Sequence, residues 1–280
     1  MKRLVSIQDI SCFGKCSQTA AIPIISAMGI ETVILPTAVL STHTGDFTNY
    51  SFHSLCDETR KIANHWKELK LEFDAIYVGY IGTADQISYV CDFIDTFKTD
   101  NTIVYVDPAM ADNGALYSGL TNEYLDAVNE LIKKADIISP NIYEAMLLVD
   151  KRCVDDYSID NAKRLAKSLS AHCKNTIITG IHYQNKILSL GYEEASDTFT
   201  KILNNKIDGM FFGTGDVFAS SFIGAYLNGL SFDESIQFAD DFVQKCIKAT
   251  LPQKEKYWYG INYEECLFYL TEFYKNTKNI

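Results

Sequence analysis

The 280-residue sequence predicts an α/β fold, a mostly parallel central sheet with helices packed on it and an antiparallel hairpin at one edge. Three observations carry that expectation. Short β-branched runs alternate with segments whose apolar residues recur every three or four positions, the pattern of successive βα units. Over 186–203 two strand-like runs follow each other with no helix between them, as in an edge hairpin. No repeat, low-complexity tract or linker breaks the chain, so one domain over 1–280 is expected.

The elements follow in order. Residues 4–7 read as a short buried strand, 17–28 as a helix ended by Gly29, and 31–35 as a second strand closed by Pro36. The loop 9–17 then lies at the carboxyl edge of the sheet, where open α/β folds place ligands. Residues 40–50 are polar and hydroxyl-rich without a regular period, a long functional loop in which His43 could be a base or ligand or simply a structural residue. Strands are expected at 75–78, 102–106, 135–138 and 176–179. Helices are expected after the Thr83–Gln86 capping box and over 122–134 and 158–170. Ser231 and Glu234 form another capping box, and a last helix covers 263–274.

Composition narrows the function classes. A hydrophobic fraction of 47% is ample for a large core. A net charge of −11 leaves no basic stripe, which argues against nucleic acid or anionic membrane as partner. The apolar part of the start is too short for a secretory signal, and no apolar run reaches the ~18 residues of a span, so a cytoplasmic protein is expected. The eight cysteines contain no Cys-x-x-Cys pair and read as reduced core residues; Cys12 and Cys16 would be at most half a metal site.

Chemistry concentrates in Gly213-Thr214-Gly215-Asp216, which joins a glycine-bracketed turn to an apolar, hence buried, helix. The free N–H groups at such a helix start attract a phosphate, and Asp216 could accept a proton from a hydroxyl. The same four residues also read as a tight turn with an N-capping aspartate. At other strand exits stand Asp107, Asp112, Asn141 and Glu144, oxygen donors that could surround a magnesium ion or serve as caps and turns.

Four separated pieces together make the chain resemble the pyridoxal kinases of the ribokinase superfamily: Ser41-Thr42-His43-Thr44-Gly45, Asp107-Pro108 with Asp112, Pro140-Asn141 with Glu144, and Gly213-Thr214-Gly215-Asp216. The resemblance spans nearly the whole chain. It implies a three-layer α/β/α ribokinase-like fold and transfer of the γ-phosphoryl group of ATP to the 5′-hydroxyl of a vitamin B6 vitamer. Asp216 would be the base and Gly213, Thr214 and Gly215 the anion hole. Asp107, Asn141, Thr179 and Gly215 would face the nucleotide, with Asp112 and Glu144 on Mg²⁺. His43 and Thr44, with Asp9 or Ser11, would meet the substrate. The family also implies a homodimer and, in many members, K⁺. Two departures stand out: Asp9 where a serine is common, and Ala111 for a loop glycine. Hydroxymethylpyrimidine kinase, and a nonenzymatic vitamer-binding protein, are the alternatives.

Overall fold

The computed structural model describes residues 1–112, 114–117 and 119–279. They form two compact units, one of Met1–Thr59 with Ile207–Ile280 and one of Arg60–Lys206. The chain begins the first unit, builds the second and then returns.

In the first unit β1 (Arg3–Phe13), α1 (Gln18–Ala27) and β2 (Glu31–Thr42) make one βαβ turn, and β1 and β2 pair in parallel. Both strands outrun their expected ends. Pairing continues from Gln8↔Pro36 to Phe13↔Thr42 through a register shift between Gln8 and Ile10, so neither the proline nor the polar residues end the ladder. Asp9 and Ser11 are therefore strand residues and not part of the expected loop. Strand β3 (Phe52–Ser54) pairs antiparallel with β2. Helix α2 (Cys56–Glu68) follows, its residues from Arg60 on belonging to the second unit; Thr59 is its one buried residue, and Ile62, Ala63 and Trp66 are half-buried.

The second unit contains β4 (Ala75–Val78), α3 (Ala84–Phe97), β5 (Ile103–Val106), the short pair β6 (Ala111–Asp112) and β7 (Ala115–Leu116), and α4 (Asn122–Ile132). It continues with β8 (Ile137–Ile138), α5 (Ile142–Asp150), α6 (Ile159–Ser170), β9 (Asn175–Tyr183), β10 (Lys186–Glu193) and β11 (Thr198–Asn205). Strands β4, β5, β8 and β9 run parallel, and β10 is antiparallel to both β9 and β11. The expected hairpin is thus present at the β11 end of the order β11-β10-β9-β8-β5-β4. The expected loop 107–114 contains β6; Asn113 lies outside the described residues.

Back in the first unit, α7 (Thr214–Leu227), α8 (Phe232–Thr250) and α9 (Leu267–Lys278) complete its core. Helix α7 is buried continuously from Val217 to Ala225, as its apolar run predicts. Phe222 is fully buried and stabilises this packing by on the order of 2–3 kcal/mol. Ala20, Ile24, Met28, Val217, Phe242 and Leu270 belong to the surrounding cluster. A β-carbon at Gly224 would stand 2.4 Å from Met28 Sδ, so that glycine sets how closely α7 approaches the end of α1. The Ser231–Glu234 capping box forms as expected. No helix of the described residues is long and apolar enough to cross a membrane.

Candidate active site

The first unit carries the acid and the helix start. Gly213 caps α7 in the left-handed region, with φ 80°, where a side chain is strained. A β-carbon there would also lie 2.2 Å from the Lys15 carbonyl oxygen. Gly213 is therefore required by the fold itself. Gly215 differs: it has no left-handed φ, and nothing lies within 4 Å of the β-carbon it lacks. Space is kept clear above it, at a helix start whose first N–H groups have no intrahelical partner. Thr214 turns its hydroxyl back to the Phe211 carbonyl, 3.3 Å away.

Asp216 sits half-buried in the first turn of α7. Removal from water pushes its carboxyl up to about 7, opposed by a hydrogen bond from the Ser17 backbone N–H; the nearby Asp9 charge adds to the rise and the Cys16 thiol opposes it. Such a group is poised to accept a proton near neutral pH. Asp9 is 2% exposed, and burial raises its carboxyl as well, against hydrogen bonds from the Ser17 and Ser11 hydroxyls. The Ser11 bond measures 2.8 Å. The structure thus brings Asp9, Ser11 and Asp216 into one network. Cys16 and Ser17 tie it together, and sequence reasoning missed both; their signal was the turn Gly14-Lys15-Cys16-Ser17 at the exit of the first strand. Cys16 is no half metal site: its thiol, raised well above the usual range chiefly by burial, bonds to Asp216.

His43 is fixed by backbone on both sides. Its Nδ1 accepts from the Gly45 N–H at 3.0 Å, so Nε2, 2.7 Å from the Tyr259 carbonyl oxygen, is the donor. The ring is a neutral Nε2–H tautomer, and burial lowers its pKa further. With both nitrogens engaged it orders the loop and has no lone pair left for a proton. A β-carbon at Gly14 would stand 2.3 Å from the imidazole Cδ2. Phe47 of the same loop packs on Trp258 at 4.7 Å and edge-on to Phe13 at 6.0 Å, while Thr44 is exposed beside His43.

The second unit gathers the remaining candidates at the carboxyl ends of adjacent parallel strands. Asp107 follows β5, Asn141 follows β8, and Thr179, in β9, forms a parallel bridge with Asn141. Asn141 caps α5 by accepting from the Tyr143 and Glu144 N–H groups, and donates from Nδ2 to the Ala111 carbonyl at 2.8 Å. The Glu144 carboxylate accepts from Met110 N–H at 2.9 Å, Ala111 N–H at 3.3 Å and Asn141 N–H at 2.8 Å. Burial raises its pKa, those three N–H groups oppose the rise, and the Asp112 charge adds to it. One Glu144 oxygen, Oε1, therefore fastens the 110–111 segment to α5 while Oε2 closes the helix start at the Asn141 N–H, whereas the Asp112 side chain is exposed. Among the described residues no group of three or more His, Cys, Asp or Glu is clustered to hold an ion by protein ligands alone. An oxygen pair of this kind suits Mg²⁺ that keeps waters and takes other ligands from phosphates.

A family model described as phosphomethylpyrimidine kinase matches residues 19–259. A crystal structure of a candidate phosphomethylpyrimidine kinase from Bacteroides thetaiotaomicron, in a form with pyridoxal, is 34% identical, with a TM-score of 0.92 over 96% of this chain and 95% of that one. The pyridoxal kinase of Arabidopsis thaliana is 26% identical over 92% of this chain and 85% of its own. The structure of pyridoxal kinase from Leishmania donovani with ADP and pyridoxamine shares the fold at TM-score 0.86 and 21% identity, covering 96% of each chain. The fold is the ribokinase-like one that the sequence resemblance implies.

Proposed function

We propose that this chain, which belongs to the phosphomethylpyrimidine kinase family, transfers the γ-phosphoryl group of ATP to the 5′-hydroxyl of pyridoxal, pyridoxine or pyridoxamine. The observation that carries the reading is Asp216: a half-buried carboxylate, held near neutrality, in the first turn of a helix whose glycine turn leaves space above its amides. The relative that binds pyridoxal favours a pyridine ring over a pyrimidine.

The chemistry needs little covalent help. Asp216 takes the proton of the 5′-hydroxyl, the freed oxygen bonds to the γ-phosphorus, and the bond from phosphorus to the β,γ-bridging oxygen breaks to release ADP. The amides of Gly213, Thr214 and Gly215 stabilise charge on the transferring group. Asp9, Ser11, His43 and Thr44 serve the vitamer side. Because His43 has no free lone pair, its part is to hold the loop that presents Thr44. Asp107, Asn141 and Thr179 serve the nucleotide. Mg²⁺ would be held by Asp112 and, through water, by Glu144, where it would offset phosphate charge. K⁺ dependence, a homodimer, a cytoplasmic setting and a single kinase domain complete the reading. All eight cysteines are thiols, which supports a reducing compartment, and the family model spans residues of both units.

Turnover with Mg²⁺-ATP, measured against the three vitamers and hydroxymethylpyrimidine, is the test. A B6 vitamer should win in kcat/KM by more than about tenfold, or ~1.4 kcal/mol. A pyrimidine preference of that size transfers the chain to the activity of its family model. Vitamer binding with no phosphorylation makes it a binding protein. Replacing K⁺ by Na⁺ in the same assay, and light scattering for twice the 31.5 kDa chain mass, test the ion and the dimer.

A further inference from the structure

The lysine at the exit of the first strand is buried, and the proposed reaction makes no use of it. Lys15 is 8% exposed. Its Nζ donates to Asn262 Oδ1 at 2.6 Å and to Glu264 Oε2 at 2.6 Å. The ammonium also lies over the rings of Tyr257 at 4.8 Å and Tyr263 at 5.6 Å. A β-carbon at Gly260 would stand 2.5 Å from Lys15 Cβ, so the stem is gripped along its length. Asn262 is committed to this pairing. An ammonium has no acceptor, so the amide must present its oxygen, and its Nδ2 is left buried with no hydrogen-bond partner. That costs stability, and it marks a charge held in place for some other return.

The backbone of the same residue faces the helix start. The Lys15 carbonyl packs on Gly213, the Cys16 thiol bonds to Asp216, and the Ser17 N–H bonds to Asp216. Ser17 does this from a left-handed φ of 52°, unfavourable for a residue with a side chain and held only by its surroundings. We infer that Lys15 is a positioning residue: its clamped side chain fixes the 14–17 turn so that the Ser17 amide and the Lys15 carbonyl meet the start of α7. The inference rests on Asp216 as base for its catalytic meaning, though not for its geometry.

The charged and titratable groups around Asp216 are Asp9 from β1, Cys16 from the turn and Tyr263 from the segment before the last helix. The Lys15 ammonium is directed at Asn262 and Glu264 instead. Releasing the clamp therefore acts on Asp216 through the loss of the Ser17 N–H, which favours the protonated carboxyl.

The experiment follows the Asp216 carboxyl by ¹³C NMR titration, assigned with D216N, in the wild type, K15M, K15R and E264A, together with kcat and KM. In K15M the titration should move upward by about one pH unit, a tenfold change in proton affinity, with kcat falling at least tenfold and KM for ATP within about twofold. K15R, which can still reach both acceptors, should restore most of both. E264A, altered at an accessible side chain, should shift the titration the same way by less and keeps the question open to a decision if K15M does not fold. A Lys15 that merely stabilises the 257–264 turn would lower Tm and leave the titration in place; that result, in K15M or E264A, overturns the inference. A shifted titration in an enzyme that phosphorylates no substrate supports the positioning role while removing the kinase reading.

Discussion

Replacing Asp216 by asparagine should make the protein more stable and nearly inactive. The folded Asp216 carboxyl is held at about 7 against an ordinary 3.8. The folded chain therefore keeps a proton that the unfolded chain has already released, and ionisation of Asp216 opposes folding. The penalty is absent below pH 3.8, grows as pH rises towards 7 and is constant above it. About three units at ~1.4 kcal/mol each set a ceiling near 4 kcal/mol. Water reaches the half-buried side chain, so we expect about 1–2 kcal/mol. Asparagine carries no charge and can still accept the Ser17 N–H. Denaturant unfolding at pH 4, 6 and 8 should show D216N ahead at pH 8 and level with the wild type at pH 4, with kcat lower by on the order of 10²–10⁴ and nucleotide binding retained. A variant no more stable at pH 8, or equally advantaged at pH 4, refutes the argument.

Other outcomes follow from the same geometry. G213A should lose stability by about 1–3 kcal/mol, since its β-carbon meets the Lys15 carbonyl in a left-handed turn. G215A should melt like the wild type and yet lose phosphorylation at least tenfold, because its methyl would enter the open space proposed for the transferring phosphoryl group; a fully active G215A denies Gly215 that role. E144Q keeps one acceptor but loses a carboxylate oxygen bonded to the Asn141 amide. It should raise KM for Mg²⁺-ATP by several-fold to tenfold, about 1 kcal/mol, and steady-state kinetics with an unmoved KM would separate Glu144 from the nucleotide. His43 has its pKa lowered from 6.5 by burial, so the unfolded chain takes a proton that the folded chain refuses, and stability should fall as pH drops through 6.5. H43Q should flatten that part of the pH–stability curve, and an unaltered slope would assign it to other groups.

The fold was largely legible because α3, α6 and α8 carry apolar periods and caps, α7 is one continuous apolar run, and the parallel strands are β-branched. Prediction stopped where local signals conflict with pairing. Asp9 and Ser11 are polar and Pro36 lacks an N–H, yet β1 and β2 run on past all three because each has the other as a partner along its length. Helix α2 went unpredicted because its apolar residues, Ile62, Ala63 and Trp66, are few and only half-buried. In the candidate site, Asp216 and Glu144 could be picked out as acids at element starts, but what each touches could not. Glu144 binds amides some 34 positions away. The Lys15 clamp spans 247 residues. No period or spacing encodes contacts of that range.

That span has a consequence for synthesis on the ribosome. The unit of Arg60–Lys206 is continuous in sequence and can gather its own contacts as it emerges. The unit that carries Asp216 cannot: its first 59 residues must wait, with β1 and β2 uncovered, until α7 and then Asn262 and Glu264 arrive. A nascent chain stalled before residue 262 has every residue of the Gly213–Asp216 turn and still lacks the clasp for Lys15. Residues 262–264 thus complete the first unit, and until they arrive the growing chain presents unfinished apolar surface of the kind chaperones meet.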